Sequence, residues 1–138
     1  AVGIIVTALS LFFAKLSIHH LLIVLYTVVM TAALFSLGGF INAVYAKSFD
    51  DIAIVPTFVL TPLTYLGGVF YSIDMLPAFW QGVSMVNPIV YMVNAFRYGV
   101  LGVSDVDVYL SLSMITLVTA GLYFFAYRLL ENGTGIRE

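Results

Sequence analysis

The stretch that decides the fold is residues 76–97, which read LPAFWQGVSMVNPIVYMVNAFR. It contains two short apolar segments, and each of them is opened by a proline, Pro77 or Pro88. A helix of about 10 residues is about 15 Å long, which is half of a hydrocarbon layer of about 30 Å. We therefore predict that the chain enters a membrane here and turns back, as a re-entrant helical hairpin over residues 77–98.

The dipeptide Asn87-Pro88 favours a helix start over a helix interior. Asparagine can accept a hydrogen bond from an unpaired amide at the cap, and proline fits the first helical position, where its missing donor costs little. The alternative is a further crossing over residues 75–96. Pro88 would then lie inside a lipid-embedded helix and would break its backbone pairing. We favour the hairpin.

The composition is that of an integral membrane protein. Hydrophobic residues make up 62% of the chain and charged residues 9%, which is far from the values of soluble globular proteins. The formal net charge of −2 and the scattered lysines and arginines argue against a nucleic-acid partner. The chain has no cysteine, which excludes disulfides and thiolate metal sites from it.

Four apolar stretches predict an all-α, polytopic bundle of transmembrane helices. They are residues 1–14, 21–46, 52–73 and 108–127. The first would be about 21 Å long, which is shorter than a bilayer core, whereas the other three are long enough to cross. Because the sequence starts inside an apolar run without a methionine, we expect it to be the C-terminal part of a longer polypeptide.

The basic residues near the helix ends predict the orientation. If the hairpin does not cross, Lys47, Arg128 and Arg137 share one side of the membrane, and Lys15 and Arg97 share the other. Basic residues concentrate on the cytoplasmic side, so the C-terminus is predicted to be cytoplasmic.

The third apolar stretch carries small and weakly polar residues at helical spacing. If the stretch is one regular helix, they share a face: Thr57, Thr61, Thr64 and Gly68. One interpretation is helix packing, with the threonine hydroxyls bonded back to the backbone; the other is a translocation path or a dimer face. Pro56 and Pro62 should bend this helix, because each removes a backbone donor.

A short charged loop precedes the third stretch. Asp50 and Asp51 lie where carboxylates can accept hydrogen bonds from the free amides of a helix start, so we expect them to cap it. Lys47 in the same predicted cytoplasmic loop either anchors the chain at the interface or contacts a partner.

Trp80 and Tyr91 suit the aromatic belt at the headgroup boundary. Arg97 ends the predicted hairpin and has two interpretations. A charge within the membrane would be a candidate functional residue, whereas a snorkelling side chain would reach the outer surface.

The sequence does not predict an enzyme. It has no Gly-x-Ser-x-Gly elbow and no His-Glu-x-x-His helix, so we assign it no catalytic, cofactor-binding or metal-binding residue. Ion-driven carriers usually place a charged side chain within a span, but residues 21–46, 52–73 and 108–127 contain none. If the protein transports, another polypeptide is expected to supply the energy.

An ordered set of residues resembles the permease subunits of ATP-binding cassette (ABC) type-2 transporters, which are mostly bacterial exporters. The set comprises Gly67 and Gly68, Leu76 and Pro77, Asn87 and Pro88, Tyr91, and Arg97. The segments 47–51 (KSFDD) and 56–62 (PTFVLTP) are similar to a small inner-membrane branch, which includes permeases linked with capsule or nodulation-oligosaccharide export.

The resemblance implies six spans per subunit, with this chain covering a partial third span to the sixth. It implies a homodimer joined to two ATPase subunits, with ATP bound by the partner and with outward-facing re-entrant helices that help gate the exit. It also places the main ATPase-docking helix before residue 1. From the residues alone, a non-transporting membrane scaffold and an ion-coupled carrier remain as alternatives.

Overall fold

The computed structural model describes residues 2–13 and 18–133, and every regular element in that part of the chain is helical. The elements are α1 (Val2–Phe13), α2 (Leu21–Tyr45), α3 (Phe49–Ile54), a π-helical segment (Val55–Leu60), α4 (Thr61–Tyr65), a 3-10 turn (Ile73–Met75), α5 (Ala78–Met85), α6 (Pro88–Leu101) and α7 (Val108–Glu131). The all-α class predicted from composition is confirmed for these residues.

Two of the described helices, α2 and α7, are long and apolar enough to cross a membrane. They contain 25 and 24 residues, which corresponds to about 36 Å of helix. Helix α2 occupies almost the same residues as the predicted stretch 21–46, and α7 continues past residue 127 to Glu131.

The third apolar stretch differs from the prediction at both ends. Helix α3 begins at Phe49 rather than at residue 52, because Ser48 caps it: the Ser48 hydroxyl accepts from the Asp51 amide. The helix ends at Tyr65 rather than at residue 73. Gly68 follows with φ +71°, a left-handed conformation that a side chain would disfavour, and it directs the chain out of the helix.

Two prolines explain the π-helical segment between α3 and α4. Pro56 and Pro62 lack the amide hydrogen that continues the α-helical pattern. The Thr61 amide accordingly donates to the Pro56 carbonyl, five residues earlier. Pro56 also has no hydrogen to give the Ile52 carbonyl, and the Asn42 side chain of α2 donates to that carbonyl at 2.9 Å. The irregularity predicted at these prolines takes the form of widened turns.

Helix α6 packs against both α2 and α7, which also pack against each other, and it contains more buried residues than any other described helix. The core cluster combines Leu34 of α2, Ile115 of α7, and Tyr91, Met92 and Ala95 of α6. Helix α6 is therefore covered by protein on two sides. A short helix within a membrane needs such cover, because the unpaired backbone groups at its ends cannot face lipid.

The C-terminal end of α6 meets the N-terminal end of α2. The amides of His19 and His20 both donate to the Gly99 carbonyl, at 3.1 and 2.9 Å. A Cβ atom on Gly99 would come within 2.6 Å of the Val24 side chain, so only glycine permits this approach. Since Leu34, halfway along α2, packs with the first turns of α6, the two helices run antiparallel along the first half of α2.

Candidate functional site

Arg97 connects three parts of the chain. Its Nη1 atom lies 2.7 Å from Asp105 Oδ2, and its Nη2 atom donates to the Gly68 carbonyl at 2.6 Å. Asp105 Oδ2 also accepts from the Ile73 amide at 3.3 Å. We call these four residues the Arg97 junction. It joins the chain leaving α4, the chain entering α5 and the loop between α6 and α7.

The junction is partly buried. The side chains of Arg97 and Asp105 are 19% and 18% exposed, so water screens their attraction only in part. A fork-shaped guanidinium suits this place, because it can donate to a carboxylate and to a carbonyl at once.

The structure corrects two expectations for Arg97, its place at the end of the segment and its snorkelling side chain, whereas its interpretation as a candidate functional charge stays a prediction. Helix α6 continues beyond it to Leu101, so Arg97 does not end the segment. Its guanidinium pairs with Asp105 instead of extending to an open surface. Asp105 was not predicted from the sequence. Its signal is an acidic residue in the loop that follows a helix with an inward-facing arginine.

Asn94 was also missed, although it organises the loop that carries Asp105. Its Oδ1 atom accepts from the amides of Asp105 and Val106 at 2.8 and 3.0 Å. Its Nδ2 atom donates to the Val106 carbonyl at 2.7 Å and to Ser111 Oγ at 2.9 Å. The side chain is buried with its donors and acceptors paired. Asn94 and Arg97 are three residues apart and therefore lie on one face of a helix. This spacing was the signal in the sequence that the two side chains serve the same region.

The predicted helix start at Asn87-Pro88 is confirmed. Asn87 Oδ1 accepts from the Ile89 amide at 3.0 Å, and Pro88 is the first residue of α6. Asn87 Nδ2 donates in addition to the Leu63 carbonyl of α4 at 2.6 Å. That carbonyl is available because the Gly67 amide, its helical partner, donates to the Thr64 carbonyl instead. The cap of α6 thus also fixes the end of α4.

The other proline begins the shorter helix. Pro77 precedes α5, and the Gln81 side chain donates to the Leu76 carbonyl at 2.8 Å and closes that end. Both helices were predicted at about 10 residues; α5 contains 8 and α6 contains 14.

The two aromatic residues of the hairpin lie in different surroundings. Trp80 on α5 is 45% exposed and packs edge-on against Phe79. Tyr91 is buried in the core cluster, and its hydroxyl donates to the Met85 carbonyl at 2.6 Å. The belt position predicted for Tyr91 is therefore wrong, because α6 turns this face towards α2 and α7.

The four path candidates do not form one stripe. Thr57, Thr61 and Thr64 are exposed on the proline-containing helix, whereas Gly68 lies beyond its end. The hydroxyls of Thr61 and Thr64 bond back to carbonyls of their own helix, as the packing interpretation expected. Among the described contacts, only Gly68 of this set reaches the Arg97 junction. Gly68 is separated from the three threonines because the helix ends at Tyr65, before that residue.

The charged loop before α3 caps the helix. Asp51 Oδ2 accepts from the amides of Lys47 and Ser48, at 3.0 and 3.1 Å. Asp50 lies in the first turn, where a negative charge favours the helix dipole. The capping role predicted for Asp51 is thus confirmed, although the N-cap is Ser48, and Asp50 and Asp51 lie in the first turn of α3 rather than in the loop before it. No described hydrogen bond makes Asp50 a cap. Lys15 and Arg137, two of the residues that predicted the orientation, lie outside the described residues, so the sidedness stays a prediction.

Comparison with known proteins places the chain in a family. Residues 1–101 match the family described as ABC-2 type transporter. The chain belongs to the ABC-2 type transporter family. The resemblance seen in the sequence is confirmed at this level, and it agrees with α2 and α7 as helices able to span a membrane.

Two curated relatives illustrate the similarity of this ABC-2 chain to known proteins. Inner membrane transport permease YadH of Escherichia coli (strain K12) is 54% identical over 137 residues, which are 99% of this chain and 54% of the relative. Nodulation protein J of Rhizobium leguminosarum bv. viciae is 25% identical over 114 residues, which are 80% of this chain and 44% of the relative. The chain spans about half the length of the curated relatives it matches. No solved structure matches significantly.

Proposed function

We propose that the protein is the transmembrane permease subunit of an ATP-driven ABC exporter in a bacterial inner membrane. The observation that carries the proposal is the ABC-2 family match over residues 1–101. The printed name of the 54% identical relative, an inner membrane transport permease, supports the location and the class. A separate ATPase subunit supplies the energy in this proposal, as the ABC-2 family implies.

The hairpin of α5 and α6 serves as the outer gate in this proposal. Both of its flanks reach the Arg97 junction. Ile73 lies before α5 and Asp105 after α6, and the Asp105 Oδ2 atom accepts from the Ile73 amide and from Arg97. Helix α6 starts beside the middle of α2 and ends beside its first turn. A chain that reaches half depth and returns leaves on the side from which it entered, which is the re-entrant arrangement. Pro77, Trp80, Asn87, Pro88, Tyr91 and Arg97 belong to this gate.

The proline-containing helix from Phe49 to Tyr65 borders the translocation path or the second copy of a homodimer. Its threonines Thr57, Thr61 and Thr64 are exposed, and most of its apolar side chains are uncovered within the described part of the chain. Membrane helices with small and hydroxyl-bearing faces usually pack against further protein. Lys47 before this helix, and Asp50 and Asp51 in its first turn, lie on the cytoplasmic side in this arrangement.

Co-purification tests the proposed function. The intact protein, carrying an affinity tag and expressed from its own locus, is extracted in mild detergent, with an equally tagged unrelated inner-membrane protein as the control. We expect a protein with a phosphate-binding loop to co-purify with it, to bind ATP and to be absent from the control. Isolation of the tagged protein without any ATPase, in detergents that preserve other ABC complexes, would contradict the permease and favour the scaffold.

A further inference from the structure

The π-helical turns of the proline-containing helix leave one carbonyl group without an amide partner. The Thr61 amide donates to the Pro56 carbonyl, whereas in a regular α-helix it would donate to the Thr57 carbonyl. The next amide along the chain would belong to residue 62, which is a proline and has no amide hydrogen. The Thr61 amide therefore has two adjacent carbonyls to choose from. Its choice of the Thr57 carbonyl converts the π-helical turns to α-helix.

This change of register moves the last turn of the helix. A π-helical turn holds more residues than an α-helical turn, so the conversion rotates every later residue about the helix axis. The Leu63 carbonyl lies two residues after Thr61 and rotates with that turn. The Gly67 amide does not hold this carbonyl in place, because it donates to the Thr64 carbonyl instead.

Asn87 connects this turn to the start of α6. Its Nδ2 atom donates to the Leu63 carbonyl at 2.6 Å, and its Oδ1 atom accepts from the Ile89 amide at 3.0 Å. Among the described hydrogen bonds, the bond to Leu63 is the only one that joins the proline-containing helix to α5 or α6. Asn87 is only 3% exposed, so water does not replace a lost bond. Because one planar amide group makes both bonds, a displacement of the Leu63 carbonyl acts directly on the first turn of α6.

We propose that Asn87 is a positioning residue that couples the register of the π-helical turns to the hairpin of α5 and α6. In the π-helical register, the Leu63 carbonyl holds the cap of α6 where the structure has it. In the α-helical register, the carbonyl rotates, and the Asn87 amide draws the start of α6 with it. The inference rests on the proposed function only for the role of the hairpin as the outer gate. There, Asn87 carries a movement of the proline-containing helix to that gate.

Fluorine NMR of the intact protein, without ATP, tests the coupling. In a background free of other cysteines, a trifluoromethyl label is attached to Tyr65→Cys at the end of α4 (the α4 label) or to Val86→Cys beside Asn87 (the cap label). The native side chains at these two positions are 62% and 84% exposed. Pro62→Ala restores an amide hydrogen and removes the ring that crowds an α-helix, so it favours the α-helical register. We expect this substitution to shift the resonances of both labels.

Asn87→Ser separates the coupling from the cap. The serine hydroxyl still accepts from the Ile89 amide, but the side chain is one bond shorter and does not reach the Leu63 carbonyl. In this background, we expect Pro62→Ala to shift the α4 label as before. The cap label should move by less than about half as much as with Asn87, because only the packing of α4 against α6 remains to transmit the change. Asn87→Thr, which fills more of the space and also caps, should behave in the same way.

Asn132→Ser, at the other end of the chain, is the matched control and should leave both shifts unchanged. A full shift of the cap label in Asn87→Ser and Asn87→Thr would overturn the coupling. An α4 label that does not respond to Pro62→Ala would overturn it as well, because the turns would then have a single register. Since no ATP is added, these results are independent of whether an ATPase co-purifies with the protein, which tests the proposed function.

Discussion

Arg97 and Asp105 form a partly exposed ion pair, and pairs of that kind contribute little by attraction alone. Their importance comes from the neighbouring backbone groups. Arg97 also supplies a donor to the Gly68 carbonyl, and Asp105 also supplies an acceptor to the Ile73 amide. Removing either side chain therefore leaves two groups unpaired in a poorly solvated place.

We expect Arg97→Ala and Asp105→Ala each to lower the free energy of unfolding by about 2 kcal/mol. In the intact transporter, both should reduce export-coupled ATP turnover without preventing membrane insertion. The reversed pair Arg97→Asp with Asp105→Arg should recover little, because aspartate cannot donate to Gly68 and arginine cannot accept from Ile73. Thermal unfolding in detergent and ATPase assays measure both effects.

Asp74→Asn is the matched control, since Asp74 is an exposed carboxylate in the same region. Full recovery by the reversed pair would mean that the charge pair alone matters. Normal turnover in both alanine variants would contradict the gate.

At the residue level, the sequence predicted what depends on near neighbours. The cap at Asn87-Pro88 and the carboxylate at Asp51 act on amides within four residues, so composition and spacing identify them. Asn94 and Asp105 were not predicted, because their partners come close only after the loop between α6 and α7 has folded back. The burial of Tyr91 likewise depends on which helices α6 meets.

At the element level, the apolar stretch 52–73 predicted a helix before the hairpin but did not predict that this helix ends at Tyr65. Hydrophobic residues continue through residue 73, so hydropathy gives no signal at Tyr65. The pair Gly67 and Gly68 provides the signal. Gly68 takes the left-handed conformation, and Gly67 lies against Ile89 of α6 with no room for a side chain.

We expect Gly67→Ala to destabilise the protein by about 1–3 kcal/mol, the usual penalty for overpacking. A Cβ atom there would come within 2.7 Å of Ile89 Cγ2, which would push α6 away from the end of α4. Adding Ile89→Ala should recover part of the loss, because it removes the clashing Cγ2 atom. The recovery should be incomplete, because the carbonyls of Leu63 and Thr64 at 3.1 and 3.2 Å also crowd the new Cβ atom. Thermal unfolding of the native protein, the two single variants and the double variant gives the coupling free energy between positions 67 and 89.

Gly121→Ala on α7 is the control, because nothing lies within 4 Å of its added Cβ atom. Strictly additive effects of Gly67→Ala and Ile89→Ala would show that the two positions do not meet.

At the scale of the whole molecule, composition was sufficient for the helical class but not for the packing. Helix α6 is no more apolar than its neighbours in the sequence, yet it has the most buried residues of the described helices, because it packs against both α2 and α7. The proline-containing helix, although apolar, accepts hydrogen bonds from the side chains of Asn42, Tyr71 and Asn87. Such arrangements depend on partner surfaces that a single sequence does not show.

The proposed topology predicts which positions are reachable from outside the cell. Cysteines introduced separately at Ser72 and Ser104 should both react with a membrane-impermeant maleimide in intact spheroplasts. A cysteine at Asn132 should react only after permeabilisation, because α7 carries the chain across. The 138 residues contain no native cysteine, so they contribute no background. Labelling of Ser72 and Ser104 from opposite sides would exclude a hairpin that returns.

One carboxylate oxygen, Asp105 Oδ2, receives both the Arg97 guanidinium and the Ile73 amide. The route into the hairpin and the route out of it therefore depend on the position of the same atom, which Asn94 holds through the adjoining backbone. A displacement of that atom by about 1 Å away from both partners would lengthen both bonds beyond useful range together. We therefore expect a movement of the loop between α6 and α7 to loosen both flanks of the hairpin at once.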